Sequence, residues 1–391
     1  MKPTANIADL RLRAQRRLPR AVFDFVDGGA QDEATLLDNR RQFQRIALVT
    51  RVLRDVSHRD QSITLLGETL ASPLIVAPTG MAGLVRRNGE AMLARAAAEA
   101  DIGCCLSMMS ACSIEDVKRA SHRPFWFQIY LLRDRGINRA LMERAWAVGC
   151  RVLVLTVDTK QQGLRERDLR NGFTVPPRVT LRNVLDVARR PGWLADVAFG
   201  RRITFANLAG KLIGADDIVS VARLAAEQYD PAMSWDAIEW CKRHWEGAVA
   251  VKGILTADDA RAAVARSADA LIVSNHGGRQ LDGTPASIAA LPAVVDAVKG
   301  AAEIVLDSGI RRGGDVLKAL ALGARACMAG RPFLYGLAAD GEAGVREAIS
   351  ILRSEIDLGL TLMGVNSVGA LDRSSLAWPS RKPVILKSRD S

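Results

Sequence analysis

This chain has little with which to read nucleic acid, cross a membrane or staple itself with disulfides. Aromatic residues make up only 5% of its 391 positions. That is too few for an obvious base-stacking platform, and with no zinc-finger spacing no nucleic-acid partner is expected. No run of about 18 apolar residues occurs, so a spanning helix is excluded and any membrane contact is made from the surface. The N-terminus holds early charges and no apolar stretch of signal-peptide length. Cys104, Cys105, Cys112, Cys150, Cys241 and Cys327 follow no metal-binding rhythm. They read as the reduced thiols of a cytoplasmic protein, with neither a disulfide framework nor a metal.

Apolar residues and positive charge are plentiful. Hydrophobic residues account for 49% and charged residues for 25%, with a net charge of +11 from 54 Lys and Arg against 43 Asp and Glu. This is a globular balance whose field draws anions or an anionic membrane surface. Short apolar runs recur at 74–77, 104–108, 126–130, 152–157, 249–251, 270–273, 304–306 and 326–329, eight in all. Between them, 90–100, 137–148, 257–265, 288–298 and 314–322 repeat alanine, leucine and charge at helical intervals. Continuous apolar strands alternating with helices predict a parallel sheet covered by helices, and eight units predict closure into a (β/α)₈, or TIM, barrel. An open doubly wound sheet is the alternative on this pattern alone.

Two further segments frame the barrel. A helix is expected at 7–17, and a second opens at Pro19 and is interrupted by Gly28 and Gly29, the pair packing as a lid or plug. After the fourth strand comes a long insertion, about 179–236, with a helical pattern at 215–228. It is too long to be structureless and should cover the barrel mouth or project outward. The expected organisation is one domain over 1–391, with the barrel core at about 74–340.

Barrel enzymes carry their reactive groups at the C-terminal ends of the strands. Polar residues collect there: Gln128 and Tyr130, Thr156 and Asp158, Lys252, Ser274 to His276, Asp307, and Gly330 with Arg331. The stretch Ser274-Asn275-His276-Gly277-Gly278-Arg279-Gln280-Leu281-Asp282-Gly283 is the most specific. Its paired glycines let the backbone turn sharply and bring a histidine and an arginine to one cavity, a proton acceptor beside a bidentate carboxylate clamp. The plainer reading is a capped loop whose histidine packs against a helix. Asp307-Ser308-Gly309-Ile310-Arg311-Arg312-Gly313-Gly314 and Ala329-Gly330-Arg331-Pro332 form a second signal. Glycine-rich turns into helices after the seventh and eighth strands can present N–H groups to phosphate, with Arg311 and Arg331 adding charge, although such a turn can also be only a tight helix start.

From about Leu18 to Gly369 the sequence resembles the FMN-dependent 2-hydroxy acid dehydrogenase and oxidase family, particularly its bacterial L-lactate and (S)-mandelate dehydrogenase group. The likeness is strongest in SNHGGRQLDG, LDSGIRRGGDVLKALALGA and GRPFLYGLA. It implies FMN as cofactor and His276 as the active-site base with Asp158 as its ionic partner. Arg165 and Arg279 become the clamp on the substrate carboxylate, and Tyr130 the phenol at its reacting end. Lys252 is placed beside the flavin N1 and O2 edge. Pro78, Thr79 and Gly80 lie against the ring, Ser107, Gln128, Thr156 and Ser274 line its polar edge, and Asp307, Gly309, Arg311, Gly330 and Arg331 hold ribityl and phosphate. One position departs: many members have tyrosine where Phe25 stands, which removes a hydroxyl from the carboxylate site.

The resulting expectation is oxidation of an (S)-2-hydroxy acid of the L-lactate or (S)-mandelate type. Gly80 leaves room, and Met108 and Met109 offer a flexible apolar wall beside Phe25. Electrons are expected to pass to quinone in a homotetramer held peripherally on the cytoplasmic face of the membrane. The insertion, with Trp193, Phe199, Phe205, Leu208, Leu212 and Ile213 among basic residues, is the expected contact. The alternatives are a soluble oxidase using oxygen, a flavin barrel for another substrate class such as an isomerase or nucleotide dehydrogenase, and a non-catalytic flavin-binding barrel.

Overall fold

Eight short strands, apolar on both faces, can bury both only inside a closed sheet jacketed by helices, and this is what they build. In the computed structural model, which describes residues 4–173, 178, 180–198, 203–209 and 227–378, these strands are β1 (Leu74–Val76), β2 (Gly103–Ser107), β3 (Trp126–Ile129), β4 (Val152–Thr156), β5 (Ala248–Ile254), β6 (Ala270–Val273), β7 (Glu303–Asp307) and β8 (Ala326–Ala329). Each pairs in parallel with the next, and β8 closes on β1 with Cys327 opposite Leu74. The closed barrel, rather than the open sheet, is therefore the fold, and the strands match the apolar runs to within a few residues at their ends.

The helices alternate with the strands as expected: Gly89–Glu99, Ile114–Ala120, Arg135–Ala147, Asp236–His244, Ala257–Val264, Ser287–Val298, Gly313–Ala321 and Arg331–Met363. The last bends at Asp340 and Gly341, whose backbone angles are not helical. The N-terminal helices Ile7–Arg17 and Arg20–Asp27 also form where expected. The first packs on Arg331–Met363, and the second reaches the C-terminal ends of the strands, where Arg279 and Arg331 donate to its carbonyls.

Several elements escape the sequence reading, among them one helix and one hairpin. Helix Ala34–Gln44 buries Thr35, Asn39 and Phe43, a mostly polar stripe that shows no apolar periodicity. A small hairpin, Ile63–Leu65 with Glu68–Leu70, precedes β1. Within the insertion, helices Leu181–Ala188 and Pro191–Ala198 are formed, whereas the pattern at 215–228 lies outside the described residues except for its last two.

Candidate active site

The C-terminal ends of the strands converge on one polar centre. In β5 the register shifts between Lys252 and Ile254, and Gly253 takes φ of +115°. A Cβ on Gly253 would lie 2.7 Å from the Cβ of Asp158, so the bulge lets the loop after β4 settle against β5. Asp158 is thereby placed beside the loop after β6. His276 sits there in the left-handed region, φ 58°, and its Nδ1 lies 2.9 Å from Asp158 Oδ1. An ionised carboxylate can only accept, so Nδ1 carries the proton and Nε2 is left as the acceptor.

Burial pushes the His276 pKa below its ordinary value. Asp158 opposes that push, but Lys252 and Arg165 add to it, so the imidazole is neutral near pH 7. Asp158 behaves differently: burial raises its pKa, yet His276 and Lys252 together bring it below the usual carboxylate range. One oxygen of this carboxylate, Oδ2, is buried with no hydrogen-bond partner among the described residues, and so is Nε of Arg165. Two unmatched groups of opposite sign at one centre are what a polar ligand would satisfy.

A band of buried polar side chains continues around the barrel. Ser107 donates to Gln128 Oε1 at 2.8 Å, and Gln128 Nε2 donates to Thr156 Oγ1 at 3.0 Å. Thr156 is in register with Lys252, which donates to Ser274 Oγ at 2.9 Å and lies 3.1 Å from Asp307. Ser274 donates to Asp307 at 2.6 Å. Burial lowers the Lys252 pKa, but Asp307 and Asp158 more than reverse it, so the ammonium is retained. This band suits the polar edge of a flat heterocycle. Pro78, Thr79 and Gly80 follow β1, and a Cβ on Gly330 would meet Thr79 at 3.1 Å, which brings the loops after β1 and β8 together.

At the β7–β8 end, Gly309 has φ of +84° and its carbonyl accepts from Arg40, which also pairs with Asp315 at 2.6 Å. Arg311 is bonded to the carbonyl of Ile310 and lies over the Tyr335 ring. Burial, then the neighbouring charges of Arg331 and Arg40, bring its pKa down to about 10, even with Tyr335 opposing. Helix Arg331–Met363 begins at Gly330 with no side-chain cap. Crowded guanidinium groups beside an uncapped helix N-terminus fit a phosphate.

The arginines are held by something no motif announces. Arg279 donates to the carbonyls of Phe25 and Gly28 at 2.7 and 2.9 Å, and Arg331 donates to those of Val26, Gly277 and Gly28 at 2.7–3.0 Å. The C-terminal end of helix Arg20–Asp27, where unpaired carbonyls carry partial negative charge, thus orients both cations. Phe25 packs on Phe173 with ring centroids 5.0 Å apart and lies under the Arg279 guanidinium. Met109 stands against Gly80, whereas Met108 is fully buried and its sulfur accepts from the Tyr130 N–H, so only Met109 of the pair is left to face a ligand. Tyr130 is half-buried near Asp158 and Arg165, and the ring of Tyr229, which sequence reasoning passed over, stands edge-on to it. Its only signal was scarcity, since the chain has three tyrosines.

Residues 14–378 match the family model described as FMN-dependent dehydrogenase. The chain is 44% identical over 372 residues to an L-lactate dehydrogenase of Stenotrophomonas maltophilia, covering 94% of this chain and 97% of that one. It is 43% identical over 376 residues to an L-lactate dehydrogenase of Haemophilus influenzae, covering 95% and 98%. Among solved structures, (S)-mandelate dehydrogenase, described as a monotopic membrane protein, superposes with a TM-score of 0.92 at 38% identity over 96% of this chain and 100% of that one. A mandelate oxidase gives 0.82 at 37%, covering 96% and 98%.

Proposed function

This chain belongs to the FMN-dependent dehydrogenase family, and from that premise we propose that it oxidises an (S)-2-hydroxy acid of the L-lactate or (S)-mandelate type to the 2-oxo acid. The observation that carries the reading is the half-buried His276 held through Nδ1 by the Asp158 carboxylate, which leaves Nε2 as the acceptor. FMN, when bound, accepts the two electrons that the substrate loses. Lys252, Ser274, Gln128 and Thr156 would hold its polar edge, and Arg311, Arg331 and the N–H groups at Gly330 its phosphate. Arg165 and Arg279 receive the substrate carboxylate, with Tyr130 at the reacting end. His276 takes the substrate proton on Nε2, and Asp158 stabilises the imidazolium that results.

An apolar substituent is favoured by Met109 beside Gly80 and by Phe25, whose ring offers no hydroxyl. Anaerobic mixing of the yellow holoenzyme with glycolate, both lactates and both mandelates tests substrate class. The (S) acids with apolar substituents should bleach the flavin fastest; glycolate in first place would overturn that preference, and no bleaching by any of them would overturn the reaction.

For the second half-reaction, a quinone at a membrane surface is the acceptor. Helix Leu181–Ala188 turns Leu181, Val184 and Leu185 outward, 76%, 50% and 50% exposed, one helical face with Arg182 and Arg189 nearby. No helix among the described residues is long and apolar enough to span, so attachment is peripheral. The mandelate dehydrogenase described as monotopic supports this reading. The likeness to a mandelate oxidase favours oxygen as the second reading, and rapid reoxidation by air with no response to a short-chain quinone would select it.

A further inference from the structure

Tyr229 is brought to the substrate site by the last turn of the insertion, and several contacts fix it there. Leu132 and Tyr229 form an antiparallel bridge, the Arg133 N–H donates to the Gln228 carbonyl at 2.9 Å, and the Asp134 N–H donates to the Gln228 side chain at 3.0 Å. Arg135 pairs with Asp230 at 3.0 Å. This clamp seats the chain beside the loop after β3, directly beyond Tyr130. The two phenol rings meet edge to face with centroids 5.5 Å apart at 89°.

Burial raises the Tyr229 pKa and the nearby Arg165 charge partly counters it, so the phenol stays protonated and able to donate. Its hydroxyl makes no hydrogen bond among the described residues. Arg165 has an unmatched Nε of its own. At Phe25, meanwhile, the ring is occupied with Phe173 and the Arg279 guanidinium and has no hydroxyl to give.

We infer that Tyr229 supplies, from the insertion, the carboxylate-binding hydroxyl that Phe25 does not, and so determines how tightly the substrate is held between Arg165 and Tyr130. The inference rests on the 2-hydroxy acid reading of this site. It makes the insertion part of the substrate pocket, in addition to any role at a surface.

The test uses the FMN-loaded enzyme and oxalate, a dicarboxylate probe whose binding perturbs flavin absorbance. Tyr229→Phe keeps the ring against Tyr130 and removes only the hydroxyl. It should weaken oxalate roughly tenfold, the loss of one hydrogen bond to a charged group. Adding Phe25→Tyr to that variant should recover most of the loss by returning a hydroxyl from the other side. Unchanged oxalate affinity in Tyr229→Phe overturns the inference, and so does a loss that Phe25→Tyr leaves in place, since the ring or the local packing would then be responsible. Wild-type bleaching by the hydroxy acid panel separates the two levels: if it occurs while either of these results is found, the inference alone fails. If no hydroxy acid bleaches the wild type, the functional reading fails and the inference with it.

Discussion

At His276, the proposed base, burial, nearby cations and nearby carboxylates compete, and their balance fixes when the imidazole can accept a proton. Burial and the cations Lys252 and Arg165 depress its pKa, while Asp158 raises it less than they lower it. A depressed pKa leaves the imidazole neutral, and active as a base, at all pH values above it. kcat/KM for a good hydroxy acid should therefore be flat through neutrality and fall only on the acid side, with an inflection below 6.5. An inflection above 7 would contradict the account. Asp158→Asn removes the group that raises the pKa most and the partner of the imidazolium. That acid limb should move still lower and flavin reduction slow by about a hundredfold, as read by anaerobic stopped flow. The His276 and Arg279 pair was legible in the sequence because two glycines between a histidine and an arginine have few other uses. Tyr229 was not, because its importance comes from a contact across nearly a hundred residues of chain with Tyr130.

Among the elements, the strands were the most legible, since a run such as Val152–Thr156, buried along its whole length, has only one kind of home. Helix Ala34–Gln44 was hidden because its inward face is polar by design. Asn39 and Asn275 exchange two hydrogen bonds, 2.9 and 2.8 Å, that tie this helix to the residue before His276. Asn39→Ala leaves Asn275 buried and short of partners. It should lower holoenzyme stability by about 1–3 kcal/mol, measured as a shift of the urea midpoint. The insertion was legible as basic and apolar, but its outward residues were not. Leu208 is fully buried, Phe205 packs on the core, and Trp193 donates to the Leu84 carbonyl at 2.8 Å, so none of these three faces a lipid; Phe199, Leu212 and Ile213 lie outside the described residues. Leu181, Val184 and Leu185 point outward instead. Replacing all three with glutamate should weaken sedimentation with anionic vesicles at least about tenfold while leaving flavin reduction unchanged. Equal sedimentation of the variant would remove this helix from the membrane contact.

Over the whole molecule, the net charge of +11 and the barrel have separate consequences. Charge gives attraction to an anionic surface without choosing a fold, so vesicle binding should fall as salt is raised from low to physiological strength. The barrel brings β1 to β8 to one mouth, and there the end of helix Arg20–Asp27, the His276 loop with its Arg279, and Arg331 are joined by hydrogen bonds from three separate parts of the chain. The central claim is that this centre removes a proton through His276 while the cofactor takes the electrons. Its most direct test is single-turnover reduction of FMN-loaded His276→Ala by the substrate that bleaches the wild type fastest, followed anaerobically by stopped-flow absorbance. Retained FMN with reduction slowed at least about a hundredfold is the predicted result; near-wild-type bleaching would contradict the account.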